Sequence, residues 1–206
     1  MTARLDHIAV SAENLSGGAG YVEAILGVPM ATGGSHPNMG THNRLLSLGP
    51  GQYLEVIAID PAAAAPNWPR WFDLDNFNGR PRLTNWILRV DDMETALRDA
   101  PVGTGRALAQ TRGDLAWKMA VPQDGKLPFD GVSPALIEWH GLEHPAQMLP
   151  DLGCRLQKLE IIHPDADNLA KAVRKMADLS DVKISKGPKV VLKATIKTPG
   201  GLVVLE

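Results

Sequence analysis

Two acidic residues stand inside runs that otherwise read as apolar strands: Glu55 in Tyr53-Leu54-Glu55-Val56-Ile57 and Glu138 in Ala135-Leu136-Ile137-Glu138-Trp139. A carboxylate in such a run is costly unless it is paired, protonated or bound to a metal, so each needs an explanation. A third polar group, His7, sits in the alternating run Leu5-Asp6-His7-Ile8-Ala9-Val10. Counting from two strand-to-helix junctions, Ala12-Glu13-Asn14-Leu15 corresponds to Val90-Asp91-Asp92-Met93, which sets His7 opposite Asn85 and Glu55 opposite Glu138. Two glutamates at matching places point to one shared site. His140, two residues beyond Glu138, shares its strand face and could add a ligand or carry a proton, although a strand-end residue beside Gly141 explains it too.

The elements that must position these groups repeat three times. Leu5–Val10 reads as a strand, and a helix then runs to Gly27 with Val22, Ile25 and Leu26 at helical spacing. Strands over Met30–Ser35, Thr41–Leu48 and Gln52–Ile59 follow, with turns at Gly40 and Gly49-Pro50-Gly51 between the last two and their neighbours. The order is β-α-β-β-β over residues 1–60. Residues 61–81 carry four prolines without a clean period and read as a connection. The pattern returns over 82–146, and again over 151–206, where Ile161 stands at the place of His7 and only Glu206 approaches the place of Glu55. One such unit leaves an apolar sheet face that a neighbour must cover, so the first two units should pair in an α+β fold of βαβββ modules. The C-terminal βαβββ-like half-module should extend that sheet or cover an edge.

These runs, with Gly40-Thr41-His42-Asn43-Arg44-Leu45-Leu46-Ser47-Leu48-Gly49, resemble the vicinal oxygen chelate superfamily and its glyoxalase-like domain proteins over about residues 4–145. The resemblance implies paired modules around a cupped sheet that holds a divalent ion, with His7, Glu55 and Glu138 as ligands and Asn85 in the fourth place. It implies Zn²⁺, Mn²⁺, Ni²⁺ or Fe chelated by a small oxygenated substrate, with Glu138 or Glu55 as general base in isomerase or lyase chemistry. One imidazole with two carboxylates is not the two-His, one-carboxylate set of iron(II) oxygenases, which lowers the dioxygenase reading. The rival reading is a metal-free cup that sequesters a small ligand. Asn43, on one face with Thr41 and Ser47, and Asn85 are candidate substrate contacts. Trp117, in Ala116-Trp117-Lys118-Met119, is the tryptophan to place near a ligand.

Composition limits the alternatives. The 206 residues are 44% hydrophobic and 21% charged, unlike a disordered chain. No apolar run approaches membrane-spanning length, no apolar signal core opens the sequence, and the lone Cys154 has no intrachain partner, so a cytoplasmic protein is expected. Residues 1–150 hold 11 Lys and Arg against 16 Asp and Glu, whereas 151–206 hold 10 against 7. In that basic stretch Lys193 and Lys197 alternate with Leu192, Ala194 and Ile196, and no aromatics interleave to stack bases. A solvated strand face is expected there, and not a nucleic-acid site. The expected partner is a small molecule. Modules can pair within a chain or between chains, so a homodimer stays open.

Overall fold

The fold, a computed structural model describing residues 3–141, 143–177 and 179–206, is built on two sheets. In the first unit β1 (Arg4–Ser11) leads into α1 (Leu15–Leu26), then β2 (Ala31–His36), β3 (Thr41–Ser47) and β4 (Tyr53–Ile59). Asn14 caps α1 by accepting from the Gly17 N–H at 2.8 Å. Gly27 closes it at φ 69°, a left-handed position where a residue without Cβ costs least. The second unit is β5 (Arg82–Arg89), α2 (Met93–Asp99), β6 (Arg106–Arg112), β7 (Leu115–Val121) and β8 (Ala135–His140). A short helix, α3 (Pro145–Met148), precedes the third unit: β9 (Arg155–His163), α4 (Ala166–Met176), β10 (Val182–Lys186), β11 (Val191–Thr198) and β12 (Gly201–Leu205).

The first two units share one eight-stranded sheet, ordered β2-β3-β4-β1-β5-β8-β7-β6. Each closing strand pairs parallel with its own opening strand, and β1 and β5 join the modules antiparallel. The sheet curls far enough that its edge strands β2 and β6 come into contact. Seven of the eight residues of β1 are buried, because the strand is covered on both sides: Leu5, Ile8 and Val10 face the outer core and His7 and Ala9 the cup.

The C-terminal unit keeps the β-α-β-β-β order but not the sheet order. Its four strands run β10-β9-β11-β12, with β9 paired to β10 in parallel and to β11 antiparallel. The sequence predicts that it extends the first sheet or covers an edge; its strands form a separate four-stranded sheet. Leu159, Ile161, Leu192 and Ile196 pack with Ile8, Val10, Trp86 and Leu88 on the outer face of the central strands. The connection also has a definite place. Trp71, Phe72 and Leu74, in a 3-10 segment over Trp71–Asn76, are buried inside the cup against Ala9, Ile57 and Ile87. No helix among the described residues is long and apolar enough to cross a membrane.

Candidate functional site

Four expected residues meet inside the cup. His7, Glu55, Asn43 and Trp117 line one small chamber of about 30 Å³ with His36 and Arg112. Strand alternation explains the set: Asn43 on β3 and Glu55 on β4 lie on the same face of adjacent strands, and Ala9, the register neighbour of Glu55, leaves room above β1. Asn43 donates from Nδ2 to Glu55 Oε1 at 2.6 Å.

Glu138, expected as ligand and base, and His140, expected as a possible further ligand or proton carrier, do not line the chamber. Ala135 and Ile137 pack into the cup while Leu136 packs on the outer face, so Glu138 follows Leu136 outward. There its Oε2 accepts from the Met93 N–H at 2.8 Å, at the start of α2. Its Oε1 lies 3.6 Å from Lys118 Nζ and 3.3 Å from Nε2 of the exposed His140. The register supplies the true counterpart: Ala9 adjoins Glu55 in the first module, and the equivalent Ile87 adjoins Ala135 in the second. Asn85 lies in a separate groove of about 570 Å³ between β5, the 126–132 loop and β11, bordered like the chamber by Phe72. It donates to the Gly131 carbonyl at 3.3 Å, and its buried Oδ1 has no partner among the described residues.

The chamber's electrostatics depend on residues that sequence reading passed over. Asp6, fully buried, accepts from His7 Nδ1 at 2.6 Å, from His144 Nε2 at 2.9 Å and from Trp139 Nε1 at 3.1 Å, with Arg89 Nε at 3.7 Å. Since His144 Nδ1 accepts from the Ala146 N–H, its Nε2 carries the proton given to Asp6. Burial alone would raise the Asp6 pKa, yet the hydrogen bonds and charge of His144 and His7 hold it well below the usual carboxylate range. Burial alone would likewise lower His7, but the carboxylates of Asp6 and Glu55 raise it to about 9. Nε2 of that imidazolium faces Glu55 Oε2 at 3.6 Å, an ion-pair separation and not a hydrogen bond. Burial opposes ionisation of Glu55, and the neighbouring His7 and Asn43 bring its pKa below normal all the same. His36 goes the other way: burial pushes it down to about 4, against Glu55 and with Arg112. The chamber thus sets an ionised carboxylate beside an imidazolium and a neutral imidazole.

Arg112 reaches in from the last residue of β6, across the seam where β2 and β6 meet. Its Nη1 lies 3.1 Å from Asn43 Oδ1 and 3.3 Å from His36 Nε2. Gly34 makes the passage, since a Cβ there would stand 2.6 Å from Arg112 Cδ. Pairing Gly34 with an arginine far along the chain was the one available signal, and it requires knowing that the sheet closes.

These residues do not fit the expected divalent ion. His7 and Glu55 are the two proposed ligands the cup assembles, the counterpart strand offers Ala135 and Ile137, and the other nearby imidazole faces a guanidinium that would repel a dication. Among the described residues no group of three or more His, Cys, Asp and Glu side chains is arranged to hold an ion.

Two βαβββ modules paired through their opening strands, with polar groups gathered inside the curled sheet, define a protein of the vicinal oxygen chelate superfamily. The family model for the glyoxalase-like domain matches residues 5–177, and the chain belongs to that family. Among solved structures, a hypothetical protein from Staphylococcus aureus is similar with a TM-score of 0.63 at 13% identity, over 96% of this chain and 92% of that one. Methylmalonyl-CoA epimerase from Mycobacterium tuberculosis aligns at a TM-score of 0.44 and 16% identity, over 68% and 88% of the two chains. An epimerase of the same name from Streptomyces coelicolor aligns at 0.45 and 19%, over 70% and 100%. Comparison with curated proteins finds no match.

Proposed function

We propose that the chain is an enzyme that moves a proton on and off carbon next to a carbonyl of a small oxygenated molecule, the step underlying isomerase and lyase chemistry. The observation that carries this reading is the line Asp6–His7–Glu55, with 2.6 Å and 3.6 Å between successive partners inside a walled chamber. Glu55 is the base: its carboxylate takes the proton, the C–H electron pair moves toward the carbonyl, and negative charge gathers on the oxygen. His7 is the facing acid. Asp6 fixes its Nδ1–H, so Nε2–H is directed at the chamber and at the developing oxyanion. Return of the proton to the same or a neighbouring atom completes an isomerisation, and loss of a group from the enolate completes an elimination. Trp117 and Trp71 wall the chamber and exclude bulk water, which strengthens both interactions.

Proton NMR of small carbonyl compounds in D₂O tests this directly. The wild-type protein should catalyse exchange of the hydrogen next to the carbonyl, and Glu55→Gln should lower the rate at least about a hundredfold, the scale of general-base catalysis. Saturable binding without exchange by the wild type would instead favour a ligand-sequestering protein on the same cup.

A further inference from the structure

We infer that Arg112 is the fixed cation of this site and that its ligand is a small carboxylate, held by the guanidinium. The inference deepens the proton-transfer reading and rests on it for the substrate's fate, although the anion site itself can be tested without turnover.

Every other charge near the chamber is answered by the protein. Asp6 is surrounded by His7, His144, Trp139 and Arg89. Glu55 has Asn43 on one oxygen and His7 near the other. Arg112 is the exception: among the described residues no carboxylate lies within 4.0 Å of its guanidinium, although its side chain is partly buried. Its hydrogen-bonding contacts are with a neutral amide and an imidazole held neutral, both made by the single atom Nη1. Nε and Nη2 make no hydrogen bond among the described residues, which leaves N–H donors of the planar fork for an incoming pair of oxygens. A partly buried cation without a counterion, in a chamber, is a site for an anion.

Size and position agree with a carboxylate. The chamber's 30 Å³ holds about two waters, the room needed by the two oxygens of one carboxylate, and not the body of a large molecule. Asn43 spans the interval between cation and base, accepting from Arg112 on Oδ1 and donating to Glu55 through Nδ2. A carboxylate seated on Arg112 would therefore be one amide away from Glu55. The matching substrate class is a short 2-oxo or 2-hydroxy acid. The glycines of β2 are shaped for the same purpose. Gly33 accommodates Asn43, whose Oδ1 would lie 2.2 Å from a Cβ, and Gly34 accommodates the arginine stem.

The test is a titration of chelator-treated protein with pyruvate, with pyruvamide as the neutral counterpart, read by calorimetry and by the fluorescence of the chamber's tryptophans. Wild type should bind pyruvate saturably and at least tenfold more tightly than pyruvamide. Arg112→Gln should lose at least tenfold in pyruvate affinity, Arg112→Lys should fall between the two, and Glu55→Gln should still bind. Circular dichroism of each variant confirms that the fold survives. Absence of pyruvate binding by the wild type, equal binding by Arg112→Gln, or binding that requires added Zn²⁺ or Mn²⁺ would each overturn the inference. Arginine-dependent binding with no hydrogen exchange would leave the carboxylate site standing and remove the proton-transfer reading, so the two fail separately.

Discussion

At the scale of single residues, the chamber places titrating groups against their ordinary preferences, and stability should carry the imprint. Native His7 keeps its proton up to about pH 9, whereas the unfolded chain releases it near 6.5. Its stabilisation is therefore complete below pH 6.5 and is lost as pH rises through 9, on the order of 3 kcal/mol. His36 behaves oppositely. Held neutral down to about pH 4, it favours unfolding once the unfolded chain begins to take up a proton below about 6.5. Denaturant melts across pH 4 to 10 should give a maximum of stability near pH 6 to 7, and in His7→Asn the alkaline limb should flatten while the acid limb remains. Gly34 and Gly33 supply a second contrast. A Cβ at Gly34 meets the movable stem of Arg112, so Gly34→Ala should weaken pyruvate binding about as much as Arg112→Gln, at a cost below about 1 kcal/mol in stability. At Gly33 the nearest atoms include the Asn43 backbone oxygen at 2.3 Å, which cannot step aside. Gly33→Ala should cost about 1–3 kcal/mol, read from the same melts.

At the scale of elements, Glu138 shows what a strand can do with a carboxylate other than catalysis. Its bond to the Met93 N–H lies at the N-terminus of α2, where a negative charge meets unpaired donors and the positive end of the helix. Glu138→Ala should lower stability by about 0.5–2 kcal/mol and leave hydrogen exchange and pyruvate binding unchanged, whereas a ligand or base would abolish them. The sequence pattern was a good guide to the strands and long helices, because alternation in β1, β4 and β5 and turn residues such as Gly40 and Gly27 act locally. It also singled out His7, Glu55, Asn43 and Trp117, which the fold gathers at one chamber. Glu138 went astray because matching modules by counting cannot detect a different loop length before β8, and an error of an odd number of residues turns a side chain to the opposite face. Asp6 was hidden for a related reason. Next to His7 in an alternating run it should face away, but the register shift between Leu5 and His7 brings both toward the same network. Arg112 and His36 could not be paired by any local signal, since only closure of the sheet at β2 and β6 brings them together. The connection hid its role in the same way: without a period to read, Trp71 and Phe72 gave no sign that they fill the cup.

At the scale of the whole molecule, the third unit explains why β1 and β5 are apolar on both faces. The inner face lines the cup, and the outer face would be open between α1 and α2 if the second sheet did not lie on it. Leu159, Ile161, Ala194 and Ile196 are fully buried in that contact, so the site's two central strands are backed by residues far from it in sequence. A layer that contributes its apolar face to a common core should melt with that core and not as a separate domain. All five tryptophans belong to residues 68–139 and none to the third unit: Trp68, Trp71, Trp117 and Trp139 report on the cup, and Trp86 reports on the contact with the third unit. Leu159→Ala, in β9 and away from every tryptophan in sequence, should cost about 2–5 kcal/mol by the cavity it leaves. If the layers are one cooperative body, tryptophan fluorescence and far-ultraviolet circular dichroism will shift to the same lower denaturant midpoint in that variant. A tryptophan transition that stays at the wild-type midpoint while the dichroism splits in two would show instead that the cup stands without its backing.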